Sequence, residues 1–258
     1  MRARVAGVLV AALLAGAACG GGEDGGGDGP RAVVVAENAD RPAQKVVFRG
    51  AERVEVQGLD AAAARRVNDA FRAPLEWAAT WAAATLLPEQ KAECGDRSSE
   101  IRGKVRFGLK GELVSAATAI EMAPCFEGEG GLPTVPVTVD TKTGRALTPE
   151  DVLAAKTLTA PGLAQLWQRL DGPRGDWADC ELEPLRRADL FPGRRDGDPA
   201  DSPAPAGLLL APGGLELIWS TTGTDCNNFT FKAPYAKVKD LLNPSLYGRL
   251  AASGATGT

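Results

Sequence analysis

The chain has 258 residues, 29 of them lysine or arginine and 33 aspartate or glutamate, for a formal net charge of −4. That weak acidity, with no lysine/arginine cluster, argues against nucleic acid as a partner. Histidine is absent, which removes serine–histidine and cysteine–histidine nucleophilic chemistry, histidine general-base catalysis and histidine-ligated zinc.

The chain opens with Arg2 and Arg4, followed by an apolar or small-residue run from Val5 to Ala18. That run is too short to cross a bilayer as a helix, and its basic start, apolar centre and small-residue end have the build of a signal peptide over residues 1–18. Gly16-Ala17-Ala18-Cys19 resembles the lipobox of bacterial lipoproteins, in which the cysteine is lipidated and becomes the new N-terminus. An ordinary cut after Ala15-Gly16-Ala17 is the alternative. Cysteine arithmetic favours the lipid: of five cysteines, a lipidated Cys19 leaves an even set, Cys94, Cys125, Cys180 and Cys226. The glycine-rich stretch after Cys19 reads as a flexible tether, assigned to residues 19–42, and two acyl chains on one cysteine suffice for stable attachment. The expected location is therefore extracytoplasmic, on the bacterial cell membrane, with the membrane itself as one partner.

Residues 43–250 are expected to form the folded part, in halves of about 43–126 and 127–250, with 251–258 a disordered tail. Arg53–Gln57 alternates like a half-buried strand. Asp60 is a candidate N-cap for a helix with Val67, Ala70, Phe71, Pro74, Trp77 and Trp81 on one face, and Pro74 predicts a kink or restart. Two tryptophans one turn apart suggest sugar stacking, but their place in an apolar stripe makes core packing the better reading. Ile101, Gly103, Val105, Phe107 and Leu109 alternate with Arg102, Lys104 and Arg106, a strand with one face in water. Gly108-Leu109-Lys110-Gly111 offers a turn, and Leu113–Met122 the returning strand. If Gly108 faces Gly111, continuing that register sets Cys94 across from Cys125 within disulfide reach. Cys180 and Cys226 then pair by elimination, although sequence alone leaves the other pairings open.

Thr134–Asp140 carries Val135, Val137 and Val139 on one face, and Asp140–Gly144 is turn chemistry. Thr148-Pro149-Glu150-Asp151 starts a helix, with an N-cap, a proline at the first helical position and acids in the first turn. Gly162–Leu170 reads as a helix, and Asp171–Ala206 as a long loop with at most short helices. Gly207–Ala211 and Leu215–Trp219 form a second hairpin around Pro212-Gly213-Gly214, followed by a strand over Asn227–Lys232 and a short helix over Tyr235–Leu242. The fold class expected is α+β: an antiparallel sheet built from hairpins, helices on one face, stapled by disulfides.

The stretch Val137–Leu153, with Val67–Phe71, Leu210–Leu217 and Ala233–Leu242 in the same order, resembles the RsiV-like domain. That domain is shared by the extracytoplasmic part of RsiV-type anti-sigma factors and the non-catalytic N-terminal region of PdaC-type deacetylases. A secreted mycobacterial immunogenic protein looks similar. Where the family carries a Gly-Gly-Ala-His segment, this chain reads Glu127-Gly128-Glu129-Gly130-Gly131-Leu132. The resemblance implies a non-enzymatic binding or sensing domain, for a lysozyme-like protein or a cell-wall glycan such as peptidoglycan.

No catalytic residue, metal ligand or cofactor is assigned, and the ligand-binding residues are not legible. Asp196-Gly197-Asp198-Pro199-Ala200-Asp201 lacks the spacing and closing glutamate of a calcium loop. Asp176, Asp179, Glu181 and Glu183 lack apolar neighbours that would raise a carboxyl pKa, so they read as surface acids. Ser220-Thr221-Thr222-Gly223-Thr224 offers hydroxyls without a base. The alternatives to a binding lipoprotein are a carboxylate-based cell-wall hydrolase or deacetylase, which would turn on Glu181 or Asp198, and a structural or antigenic surface lipoprotein.

Overall fold

The computed structural model describes residues 29–128, 130–194, 201–223 and 225–256. Cys19, the expected leader and the first part of the expected tether lie outside the described residues, as do Asp196, Asp198 and Thr224.

The fold is α+β. A seven-stranded sheet has the order β1 (Arg31–Arg41), β2 (Val46–Gln57), β3 (Ser99–Lys110), β4 (Leu113–Ala123), β6 (Val135–Asp140) and β7 (Arg145–Ala146), with the short β5 (Gly130–Gly131) also on β4. Neighbours are antiparallel except β2 and β3, which run parallel over Val46–Phe48 and Ser99–Ile101. Between those two strands the chain crosses over through α1 (Ala61–Thr85) and α2 (Pro88–Cys94), the connection a parallel pair requires. A three-stranded sheet follows in the order β10 (Phe229–Pro234), β9 (Gly214–Trp219), β8 (Ala206–Ala211). The remaining helices are α3 (Pro149–Val152), α4 (Ala160–Arg169), α5 (Arg174–Asp179), α6 (Tyr235–Val238) and α7 (Pro244–Ala252). None of the described helices is long and apolar enough to cross a membrane.

These elements stack in four layers. On one face of the large sheet, Val54, Val56, Ile101, Val114, Ala116, Ile120 and Val139 pack against Val67, Phe71, Leu75, Ala78 and Ala79 of α1. Against the other face lies the small sheet, where Ala117 meets Leu209 and Ile218 and Arg106 pairs with Glu216. The outer face of the small sheet, with Leu210, Leu215, Leu217 and Phe231, is covered by Leu163, Leu166, Trp177, Tyr235 and Leu250 of the later helices. Helices on one face were expected, and α1 covers one face of the large sheet; its opposite face is covered by the small sheet. The expected halves share a sheet, since β4 pairs with β6.

Residues 31–41, expected in the tether, form β1. Its run Val33-Val34-Val35 is β-branched, and the strand pairs with β2 from Arg31↔Gln57 onward. At the other end, residues 251–256 are ordered rather than a free tail: Asn243 caps α7, Ala255 N–H donates to Leu250 O, and Gly213 N–H donates to Ala255 O. Asp60 does cap α1, its carboxylate accepting from Ala62 and Ala63 N–H. Pro74 does not divide that helix, which runs unbroken past it.

The β3–β4 hairpin corrects the expected register. Glu100 faces Ala123 and Phe107 faces Ala116, and the turn falls at Gly111-Glu112, beyond an irregularity between Phe107 and Lys110. Leu109 accordingly packs into the core beneath the C-terminal helices, while Phe107 packs beneath α1. Cys94 and Cys125 are bonded with Cα atoms 5.0 Å apart, but not as cross-strand neighbours. Cys94 ends α2 and Cys125 lies just past β4, so the bond ties the crossover to the strand end. Ser99 Oγ fixes the join by accepting Cys125 N–H at 3.2 Å. Cys180 and Cys226, with Cα atoms 5.6 Å apart, tie the end of α5 to the segment before β10. They flank an aromatic cluster in which Trp177 touches Trp167, Trp219 and Phe231. Closing loops of this length restricts the unfolded chain by about 4 kcal/mol per bond.

Gly108, expected in a turn, serves close approach instead. A Cβ there would lie 2.0 Å from the carbonyl oxygen of Leu210 in the small sheet. Gly108→Ala must therefore push the two sheets apart, and a loss of about 3 kcal/mol is expected in denaturant unfolding; an unchanged midpoint would contradict this packing.

Candidate functional site

The acids read from the sequence as surface groups do lie at the surface. Asp176, Asp179, Glu181 and Glu183 are all exposed, on α5 and the turn after it. Of the hydroxyl run, Ser220 is used structurally: buried, it donates to Asn228 Oδ1 at 2.7 Å and accepts from Thr134 N–H at 2.8 Å. Thr221 N–H is held by Asn227 Oδ1. Among the described residues no three histidine, cysteine, aspartate or glutamate side chains gather as a metal site.

The structure instead opens a cleft of about 360 Å³ where three of the layers meet. α1 contributes Ala70, Ala73, Pro74 and Trp77; the edge of the large sheet contributes β6; and the small sheet contributes Gly207 and Leu208 at the start of β8. Among the described residues, the remaining wall is the 147–152 corner with Leu190, Pro192 and Asp201–Ala204. This is the size range of small-ligand sites, and the lining is predominantly apolar, as such sites are. Five prolines stiffen it: Pro74, Pro136, Pro149, Pro192 and Pro203. Pro136 fits here because β6 borders the cleft, and a proline is tolerated where a strand needs no outward donor.

Trp77 closes one end. Its indole Nε1–H donates to the backbone oxygen of Asp201 at 2.8 Å, joining α1 to a segment 124 residues away. Trp81 sits one turn on, its ring centroid 6.2 Å from that of Trp77, and both pack half-buried against the core under α1. Core packing is thus the main role of the pair, and Trp77 adds a cleft wall. The Trp77 N–H is committed to its bond to Asp201 O and is not left over for a ligand.

The corner at 147–149 is fastened electrostatically. Asp151 accepts two bonds from Arg145, each 2.7 Å, and also accepts from the backbone and hydroxyl of Thr148. The Arg145 guanidinium, opposed by partial burial and helped by Thr148, brings the Asp151 carboxyl from 3.8 to about 2. Beneath it, Asp140 is buried at the end of β6; the cost of that burial is outweighed by Arg249 of α7, at 2.9 Å, and by N–H groups of the following turn, so its pKa is also lowered. Gly144, with φ +66°, closes this turn against Arg66 of α1. The segment Asp140–Leu153, singled out in the sequence, therefore builds one wall of the cleft.

Sequence reasoning reached Pro74 and Trp77 as part of a stripe. It named Asp201 only within a rejected calcium loop and missed Ala73, Pro136, Pro192 and Pro203, of which the last two had an advance signal in the density of prolines before β8.

These features define a class: a disulfide-stapled α+β domain with a preformed apolar cleft. No family model matches the chain, and no curated protein matches it either. Among solved structures, it is similar to a member of the DUF3298 family from Bacteroides fragilis, with a TM-score of 0.47 and 14% identity, covering 85% of this chain and 95% of that one. It is also similar to a DUF3298 family protein from Pseudomonas aeruginosa, with a TM-score of 0.42 and 15% identity, covering 84% and 94% respectively.

A carboxyl whose pKa is lowered on folding stabilises the fold above its unfolded value and ceases to do so as pH falls through the folded value. For Asp151 that window runs from about pH 4 down to about pH 2. The full shift would be worth about 2 kcal/mol, reduced to about 1 because Arg145 is in solvent. Asp151→Asn is expected to cost about that much at neutral pH and to flatten the acid limb of stability over this window, read by urea unfolding at stepped pH. An unaltered acid limb would contradict the assignment.

Proposed function

We propose that the protein is a non-enzymatic binding domain held outside the cell membrane by a lipid on Cys19, and that its ligand engages the cleft between α1, β6 and β8. The single observation that carries the binding role is that cleft: preformed, apolar and lined by rigid residues. The exposed acids on and after α5 weigh against a carboxylate hydrolase, because a general acid needs burial or a close partner to hold its proton at neutral pH. The leader, Cys19 and the two disulfides support the location, since such bonds persist in oxidising compartments. A lysozyme-like protein or a peptidoglycan fragment is the partner that the resemblance to RsiV-like domains suggests.

Two outcomes are expected. Cys19→Ala should release the protein from the membrane fraction into the medium or periplasm, read by fractionation and immunoblotting; retention would point to a different anchor. In the second, the full chain in lipid nanodiscs is immobilised and offered envelope extract supplemented with lysozyme and muropeptides. Ala73 is exposed on α1 and lines the cleft, so Ala73→Phe should block the cleft without disturbing the core. Saturable capture of one component, lost in Ala73→Phe, supports the reading. Capture of nothing, or capture indifferent to Ala73→Phe, overturns the role of the cleft.

A further inference from the structure

β1 is the edge strand of the large sheet, and no described residue pairs with its outer side. The backbone N–H and C=O groups on that side are a template for another strand. Its usable length is bounded at both ends. Pro30, which has no N–H, precedes Arg31, and the ladder to β2 shifts register between Glu37 and Ala39. Between those limits the sequence is Arg31-Ala32-Val33-Val34-Val35-Ala36-Glu37, which reads alike in both directions except that its two ends carry opposite charges. At its centre Val34 is 43% exposed, one of two large hydrophobic side chains left so open among the described residues.

We propose that this edge pairs with the same edge of a second copy, antiparallel, about a two-fold axis at Val34. In an antiparallel ladder the residues whose backbone groups point outward face each other, so the numbers of opposing residues sum to an even value. Only the sum 68 uses all seven residues. It sets Val34 against Val34, Val33 against Val35, Ala32 against Ala36 and, at each end, Arg31 against the partner's Glu37. Matched apolar pairs and opposite charges stabilise a strand pair, whereas like charges directly opposite weaken it. A slip to 66 or 70 removes both charge pairs and two of the seven residue pairs. The arrangement is isologous, each copy giving the same surface. Seven residues a side make a small interface for free solution. The anchor on Cys19, on which this step rests, concentrates the copies in one plane. The two Arg31 residues lie roughly 20 Å apart in this pairing, and the chain from Cys19 to Arg31 can span at most about 40 Å. Both copies therefore reach the same membrane.

For the test, the full chain is purified from membranes and reconstituted into liposomes at stepped protein-to-lipid ratios, and introduced thiols are oxidised with copper phenanthroline. Val34→Cys should give a disulfide-linked dimer on non-reducing gels, because residue 34 meets itself at the axis. Ala32→Cys and Ala36→Cys should each stay monomeric alone and cross-link when reconstituted together. Arg31→Glu in the Val34→Cys chain sets like charges at both ends, and should raise the surface density needed for half-dimer about ten-fold. Melting temperatures check that each variant folds. Dimer from Ala36→Cys alone, an unaltered density with Arg31→Glu, or Val34→Cys staying monomeric overturns the pairing. Flotation of the liposomes reports the anchor separately. If the chain does not float, the anchor reading fails, and the same cross-linking pattern in concentrated solution decides the pairing.

Discussion

The close stacking of the small sheet on β4 and its neighbours is the constraint from which the other features follow. β4 is the central strand and is buried on both faces, so its residues must satisfy two layers at once. Toward α1 it offers Val114, Ala116 and Ile120. Toward the small sheet it offers Ser115 and Ala117, small enough for the backbones to approach closely. Glycines finish the fit, with Gly108 against the Leu210 carbonyl and Gly207 against Pro136. A polar clasp sits at the same junction: Ser115 Oγ accepts Leu210 N–H at 3.2 Å and bonds Thr138 across the strands at 2.8 Å. A hydroxyl buried this deeply would be costly without such partners; with them it sets the spacing of the sheets.

The long β1–β2 ribbon packs its inner face on α1. Its ladder to β3 ends at Phe48, and backbone freed beyond that point on both strands is satisfied by side chains. Asn68 Oδ1 accepts Val56 N–H at 2.8 Å, and the Glu52 carboxylate accepts Val105 N–H on β3. Charges fasten the outside, where Arg72 of α1 bridges Glu37 of β1 and Glu76 of its own helix, and Arg41 also reaches Glu76. The ribbon covers one flank of α1. The opposite flank, carrying Ala73 and Trp77, meets only the β6 edge and the segments before β8, and the cleft is the gap that remains.

Much of the fold was legible because its signals are local. The Asp60 cap, the alternation through Ile101–Phe107, the Pro212-Gly213 hairpin and the Thr148-Pro149 helix start each depend on residues within one turn or one pleat. The β3–β4 register was misread because Gly108 and Gly111 carry the same turn signal while only Gly111 turns; Gly108 answers to Leu210, a hundred residues away, and nothing nearby announces that. β1 was absorbed into the tether because the glycine-rich segment ahead of it dominated the composition, although Val33-Val34-Val35 was in plain sight. α7 carried its own Asn243-Pro244 start and went unread. The cleft was illegible for a stronger reason. Its walls come from four separate stretches of chain, and the bond that closes it, Trp77 to Asp201, has no sequence signature since it ends on a backbone oxygen.

The prolines of the cleft tie this architecture to recognition. A wall of backbone with fixed φ and no N–H neither collapses into the gap nor satisfies its own acceptors. Rigidity keeps the volume open before any ligand arrives, so binding does not have to order the site. A missing donor leaves a helix carbonyl without its usual partner four residues on. Pro74 does both within one residue: it stiffens α1 at the cleft and removes the donor that the Ala70 carbonyl would otherwise have. A helix-interior proline therefore sits in the wall of the cleft, beside a tryptophan already spent on holding the opposite wall.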